Sequence, residues 1–183
     1  MALETEVKIR LDSVEAGRDR LEKAGFQPSR PREFESNQLY DTEDQWLRSA
    51  GELVRIRQVG GRGLLTFKGR STSGEHKVRE EIETAVEDVA QLGAILERLG
   101  YAPTFRYEKY RTEYTSNGHT GHVLLDETPI GSFLELEGDG AWINETAEKL
   151  GFSKQDYVID SYGALYVKYC KQRGLAVSSM TFV

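Results

Sequence analysis

Glu4, Glu6 and Lys8 stand at alternate positions near the start of the chain, and the same every-second-residue placing of ionic side chains returns in six later segments. Residues at period two lie on one face of a strand. The later segments carry Arg55 and Arg57; Thr66 and Lys68; Arg79, Glu81 and Glu83; Lys109 and Arg111; Leu124 and Asp126; Glu135 and Glu137. The charged positions divide evenly, seven acidic and seven basic, which suggests mutual neutralisation around a ligand. Arg forks grip phosphate oxygens two at a time and Lys adds point charge, so the cations suit a polyphosphate. Carboxylates repel such an anion but bind hard divalent cations, Mg2+ or Mn2+, which take oxygen ligands and bridge to phosphates. Strand rise sets the Cα atoms of Glu4 and Glu6 about 6.6 Å apart on one face, close enough to converge on one ion. Glu135 and Glu137 repeat that spacing.

The residues between these charges are Val7 and Ile9, Val54 and Ile56, Leu65 and Phe67, Ile82, Tyr110, Leu125, and Leu134 and Leu136, so the opposite sheet face is apolar. Four stretches change to helical spacing. They run from about Ser13 to Gly25, Val86 to Gly100, Trp142 to Gly151 and Ser161 to Arg173, with Ser13 an N-cap and Gly25 a stop. Turn signals separate the strands at 60–63, 69–74, Asn117-Gly118 and 138–140. Trp46 and Leu47 read as closing a hairpin against the core. Sliding the chain by 75 residues lays Leu21 to Phe26 on Leu96 to Tyr101, Pro28 on Pro103 and Glu6 on Glu81, a weak internal repeat.

The helices must bury their apolar stripes, and the uncharged strand face is the large apolar surface on offer. The ionic face then points away from them. Taken singly, each segment suits the hydrated face of an open sheet. Taken together, seven or eight antiparallel strands closing on themselves would turn the charges inward as a tunnel. An empty interior holding so many ions costs several kcal/mol per unpaired charge, so such a tunnel is wet or occupied.

The 183 residues support one domain over 1–175 with a C-terminal tail over 176–183, either disordered or a short added strand. A net charge of −6 and a pI of about 5.2 argue against a nucleic-acid footprint. Cys170 is the single cysteine, which excludes an intramolecular disulfide and a thiolate metal cluster. The start lacks a basic segment leading into an apolar run, and no apolar stretch reaches the roughly 18 residues of a membrane span. The expectation is a soluble cytoplasmic protein without membrane partners, as a monomer or a homodimer packing on its last helix.

Glu4-Thr5-Glu6-Val7-Lys8 resembles the ExExK signature of the CYTH superfamily, the triphosphate tunnel metalloenzymes that include class IV adenylyl cyclases and thiamine triphosphatases. The resemblance runs on through Leu39-Tyr40-Asp41-Thr42, Leu53 to Arg57, Thr66-Phe67-Lys68, Arg79 to Glu83, Lys109-Tyr110-Arg111, Leu125-Asp126 and Gly131 to Glu137. It spans Glu4 to Tyr162 with the motifs in order, and the stretch from Lys77 to Arg111 is more similar to the class IV adenylyl cyclase branch. What it implies is an α+β fold: an eight-stranded antiparallel closed β-barrel with helices packed outside. It further implies metal ligation by Glu4 and Glu6 with Glu135 and Glu137. Lys8, Arg55, Arg57, Lys68, Arg79, Lys109 and Arg111 would hold the triphosphate. Glu81, Glu83 and Asp126 would bind a second metal or orient the basic side chains. Tyr40 lies in the counterpart of the family's Tyr-Phe-Asp-Thr motif and is a candidate catalytic residue. Ser161-Tyr162 resembles a late Ser-Tyr pair of the family.

The sequence offers no catalytic Cys and no Ser-His-Asp arrangement. His76, His119 and His122 read as surface histidines, since a third zinc ligand is missing. The Gly-rich turns lack the order of a phosphate-binding loop. The expected chemistry is metal-assisted attack on a triphosphate such as tripolyphosphate, ATP or thiamine triphosphate. A water assisted by the metal or by Lys8, a base if crowded by other cations, would attack the terminal phosphorus. The alternative is cyclisation of ATP to cyclic AMP with loss of pyrophosphate. A third reading is a polyphosphate- or nucleotide-binding module without turnover.

Overall fold

The computed structural model describes residues 2–72, 74–115 and 121–183. Its main strands are β1 (Ala2–Leu11), β2 (Gln27–Asp41), β3 (Leu53–Val59), β4 (Arg62–Lys68), β5 (Lys77–Val86), β6 (Ala102–Thr115), β7 (His122–Thr128) and β8 (Gly131–Glu137). They lie antiparallel in the order β5-β4-β3-β2-β6-β7-β8-β1, and β1 then pairs with β5 from Ala2↔Glu81 to Glu6↔Lys77. The sheet is therefore a closed eight-stranded barrel, as expected. A two-residue strand, β9 (Tyr157–Val158), pairs with Ile9 and Lys8 of β1.

Four expected helices form as α1 (Val14–Lys23), α3 (Val89–Arg98), α4 (Gly140–Lys149) and α5 (Tyr162–Arg173). Ser13, Asp88, Asp139 and Ser161 each accept a backbone N–H from the first turn, at 3.1, 2.9, 2.9 and 3.2 Å, respectively. These bonds satisfy donors that a helix start leaves open. Gly25, Gly100, Gly151 and Gly174 follow the helices with positive φ, the backbone state in which a side chain is costly. The second helix begins at Val89, later than the expected Val86, because β5 keeps that segment paired to β4 through Val86.

A fifth helix, α2 (Trp46–Ala50), occupies the segment read as a hairpin closure. Asp41 makes it: its carboxylate accepts the backbone N–H groups of Thr42, Leu47 and Arg48 at 2.8, 2.9 and 2.9 Å. Leu47 is buried beneath it and Trp46 is exposed. The Asn117-Gly118 turn signal lies outside the described residues.

Helices α1 and α4 cover β1, β7 and β8. Leu21, Phe26, Ile143, Ala147 and Leu150 pack on Val7, Ile9, Val123, Leu125, Leu134 and Leu136. Each such large side chain contributes about 1.5–3 kcal/mol on burial. The approach is close at Gly17 of α1, where a Cβ would lie 2.5 Å from Leu11 Cδ1. A second apolar cluster joins Tyr107, Ile130 and Phe133 to Tyr162 of α5 and to Met180. Met180 also exchanges backbone hydrogen bonds of 2.9 Å with Arg106 and Glu108, so the tail adds a short pairing to β6.

The repeat is architectural. β1, α1 and β2 begin at residues 2, 14 and 27, while β5, α3 and β6 begin at 77, 89 and 102. Exchanging the halves maps the strand order onto itself, with β1–β5 and β2–β6 as the two seams. No helix among the described residues is long and apolar enough to cross a membrane.

Candidate functional site

The period-two charges point into the barrel, where they line a cavity of about 450 Å³. That volume suits a small-molecule ligand. The wall is formed by Glu4, Glu6 and Lys8 of β1, Arg55 and Arg57 of β3, and Lys68 of β4. It continues with Arg79, Glu81 and Glu83 of β5, Lys109 and Arg111 of β6, and Glu135 and Glu137 of β8. The N-terminus of α5 reaches the same space through Ser161, Tyr162 and Gly163.

Register creates a carboxylate cluster on one side. β1 and β8 set Glu6 opposite Glu137 and Lys8 opposite Glu135. Oxygens of Glu4, Glu6 and Glu137 then come within 4.8 Å of one another. Burial first, and then the charges of Glu135, Glu4 and Glu6, push the Glu137 carboxyl up to about 8. Crowded oxygen donors of this kind fit a hard divalent cation, whose ligand oxygens at about 2.1 Å for Mg2+ span a comparable distance. Glu135 takes a different part. Its burial would raise it, but Lys8, Arg111 and Lys109 outweigh that and hold its carboxyl well below the usual range.

Lys8 differs from the expectation of a lysine crowded by cations. Its Nζ lies 2.8 Å from Glu135 and 3.2 Å from Glu6. Burial opposes its charge, yet the two carboxylates raise its proton affinity well above that of an ordinary lysine. The premise for Lys8 as a base is therefore corrected: carboxylate neighbours fix it as an ammonium.

The other cations are braced from behind. Asp126 is fully buried and accepts from Lys109 Nζ at 2.9 Å, from Arg111 Nε at 2.6 Å and Nη2 at 2.7 Å, and from the Tyr162 hydroxyl at 2.6 Å. With those donors in place it orients the basic side chains and stands outside the carboxylate cluster. Arg111 Nη2 also bonds Glu135. Arg57 Nε donates to Asn37 Oδ1 at 2.9 Å, and Arg55 Nη2 donates to Thr66 Oγ1 at 3.1 Å. Glu83 accepts from that threonine at 2.8 Å, and Glu81 lies 3.2 Å from Lys68. Glu4 is reached by Lys68 at 2.6 Å and Arg79 at 3.4 Å, cations that outweigh its burial and hold its carboxyl below the usual range.

Tyr40 corrects a second expectation. It is absent from the cavity wall; its hydroxyl lies where a Cβ on Gly93 of α3 would be 2.9 Å away. Burial and the charge of Glu97 on α3 raise its phenol. Along β2 the inward positions are odd-numbered, and Leu39, not Tyr40, faces the cavity.

Five residues join the site that the charge pattern did not single out. Lys77 opens β5 and places Nζ 2.8 Å from Glu6. Glu35 and Asn37 lie behind Arg57 and Lys109, with Glu35 3.5 and 3.6 Å from them. Their own period-two spacing with Leu39 was the available signal. Tyr107 and Tyr162 line the cavity with aromatic surface. Of the histidines, His122 is an exposed partner of Glu113 at 2.7 Å and His76 bonds Asn144 at 2.9 Å. His119 lies outside the described residues.

A family model described as the CYTH domain matches residues 2–162. A protein of Methanocaldococcus jannaschii named "Putative adenylate cyclase" is 30% identical over 143 residues, covering 78% of this chain and 81% of that protein. Among solved structures, the PH1819 protein of Pyrococcus horikoshii superposes with a TM-score of 0.73 at 25% identity, covering 91% of this chain and 99% of that one. HpAC1 of Hippeastrum, described as a "putative adenylyl cyclase" that reveals a dominant triphosphatase activity, superposes with a TM-score of 0.65 at 16% identity over 97% and 98% of the two chains. That last likeness concerns the fold.

Proposed function

The chain belongs to the CYTH domain family, and on that premise we propose that it is a divalent-metal-dependent triphosphatase that hydrolyses an inorganic or organic triphosphate inside its barrel, with residues 1–175 acting as one tunnel domain. One observation carries the reading. A cluster of three carboxylates and a larger set of cations share a single cavity. Cations alone would suit capture of an anion; converging carboxylates add a site for Mg2+ or Mn2+.

Glu4, Glu6 and Glu137 would hold the ion, which when bound would neutralise phosphate charge. Arg55, Arg57, Lys68, Lys109 and Arg111 bind the phosphate oxygens, with Lys8 and Arg79 as fixed positive charges beside the carboxylates. Asp126 and Glu35 keep the guanidinium and ammonium groups of β3 and β6 in place before substrate arrives. Such preorganisation is the larger part of catalysis when charge builds on transferring phosphoryl oxygens. The barrel wall limits access of bulk water, which strengthens each of these contacts.

The class IV adenylyl cyclase activity is the second reading, favoured by the name of the 30% identical relative. Incubation with tripolyphosphate, ATP or thiamine triphosphate and Mg2+ or Mn2+ separates the two. Free phosphate from at least one substrate is the expected result. Cyclic AMP and pyrophosphate from ATP, with little phosphate, would replace hydrolysis by cyclisation. Binding of triphosphate without any product would leave a capture module.

A further inference from the structure

Tyr107 lines the cavity but belongs neither to the carboxylate cluster nor to the bonds around Asp126. Its backbone is held on both edges, paired with Asn37 of β2 and bridged to Met180 of the tail. Its ring stacks on Phe105, centroids 6.0 Å apart at 22°, and lies 6.3 Å from the ring of Tyr162. The hydroxyl is thereby fixed in space. Its oxygen accepts from Arg55 Nη1 at 3.3 Å, and among the described residues no acceptor takes its own hydrogen.

The charges that face this phenol come from several elements. Arg55 and Arg57 of β3 and Lys109 of β6 are the cations. Glu35 of β2 sits behind Arg57 and Lys109, Glu81 of β5 lies 3.9 Å from Arg55, and Tyr162 of α5 is itself turned to Asp126. Burial would raise the phenol, but Arg55, Arg57 and Lys109 bring it down to about 8. Lys8, the other basic group near the reaction, lies between Glu135 and Glu6 at 2.8 and 3.2 Å.

Position matches chemistry. β6 and β2 lie across the barrel from β1 and β5. Arg55 donates to the Tyr107 oxygen, and Arg57 and Lys109 are the other cations that face it, so a terminal phosphoryl group gripped by these three, as the triphosphatase reading requires, would sit beside that hydroxyl. Resting on the triphosphatase reading, we propose that Tyr107 is the general base of the hydrolysis, taking the proton of the attacking water. In that step the water oxygen bonds to the terminal phosphorus as the bridging P–O bond breaks. The bridging oxygen leaves with the electron pair on the diphosphate portion, and the water proton passes to the Tyr107 phenolate. No oxidation state changes.

The test compares the wild-type protein with Tyr107→Phe on tripolyphosphate and Mg2+ across pH, following kcat/KM because that ratio reports the free enzyme. The wild type should show an activity limb that rises with a midpoint near pH 8. Tyr107→Phe should lose the limb and about 10²-fold or more of kcat/KM, with tripolyphosphate affinity changed by less than about threefold. Tyrosinate absorbance of the free wild-type protein should show one phenol titrating near pH 8, absent from the variant. This readout needs no turnover, and it stands even where the variant folds poorly. A Tyr107→Phe protein with the wild-type rate and limb overturns the proposal and leaves the triphosphatase reading intact. A limb that falls through pH 8, or no wild-type phenol titrating below about pH 9.5, overturns it as well. A wild-type protein inactive on every triphosphate overturns the triphosphatase reading and this step with it.

Discussion

Lys68 places its Nζ 2.6 Å from a carboxylate oxygen of Glu4, joining β4 to β1 across the intervening β5. The ammonium thus lies where a divalent cation would compete for the same oxygens. Lys68→Met should tighten Mn2+ binding in the absence of triphosphate, by several-fold in titration calorimetry, while weakening tripolyphosphate binding. Weaker Mn2+ binding in the variant would show that Lys68 supports the ion site instead of competing with it.

Asp126 braces Lys109 and Arg111 with no exposure to solvent. Breaking a buried charge pair from one side costs about 3–5 kcal/mol. Asp126→Asn should lower the urea unfolding free energy by that order and loosen triphosphate binding together. A change below about 1 kcal/mol would contradict the bracing role.

Glu35 carries the acid dependence of stability. Burial would raise it, but Lys109, Arg111, Arg57 and Arg55 bring it down to about 2 from an ordinary 4.5. A depressed carboxyl stabilises the fold above its unfolded value, and that contribution fades as pH falls from about 4.5 toward 2. Glu35→Gln should therefore be less stable than the wild type at neutral pH, with the gap narrowing as pH falls through that window. A gap independent of pH, followed by thermal unfolding, would remove Glu35 from the cationic wall's electrostatics.

Tyr40 packs its hydroxyl toward Gly93 on the outside of the barrel. Tyr40→Phe should keep kcat and KM within about threefold of the wild type, because nothing it touches contacts substrate. A hundredfold loss of kcat would place the hydroxyl in the reaction. Asp41, its neighbour, should instead affect folding: Asp41→Ala leaves the backbone donors of Thr42 and of Leu47 and Arg48 in α2 unpaired, a loss of about 1–3 kcal/mol.

Much of the barrel was legible in the sequence because closure leaves a plain trace. Charges at period two on five strands and single charges in the same phase on β4 and β7, with apolar residues between them, require one wet or liganded face and one covered face. The helix ends were legible through Ser13, Gly25, Gly100 and Gly151, whose side chains or φ values do local work. Two things were hidden. The inward set of β2 was obscured because Arg32, Glu33, Glu35 and Ser36 place polar residues on both parities, so the sequence did not show that the odd-numbered residues face inward and the motif tyrosine outward. The partners of Lys8 were hidden too: a strand shows which charges share a face, while the pairing of β1 with β8 decides that carboxylates surround this lysine. Tyr107 carried no signal of its own in the sequence. Its meaning comes from Arg55 and Arg57, which lie fifty or more residues away.

Phosphate release from tripolyphosphate, with and without Mg2+ or Mn2+, in the wild type and in Glu4→Gln/Glu6→Gln, tests the central claim most directly. The account predicts metal-dependent release in the wild type and its loss, by at least about 10³-fold, in a double variant that remains folded. Wild-type rates in the double variant, or equal rates after chelation of all divalent ions, would contradict it.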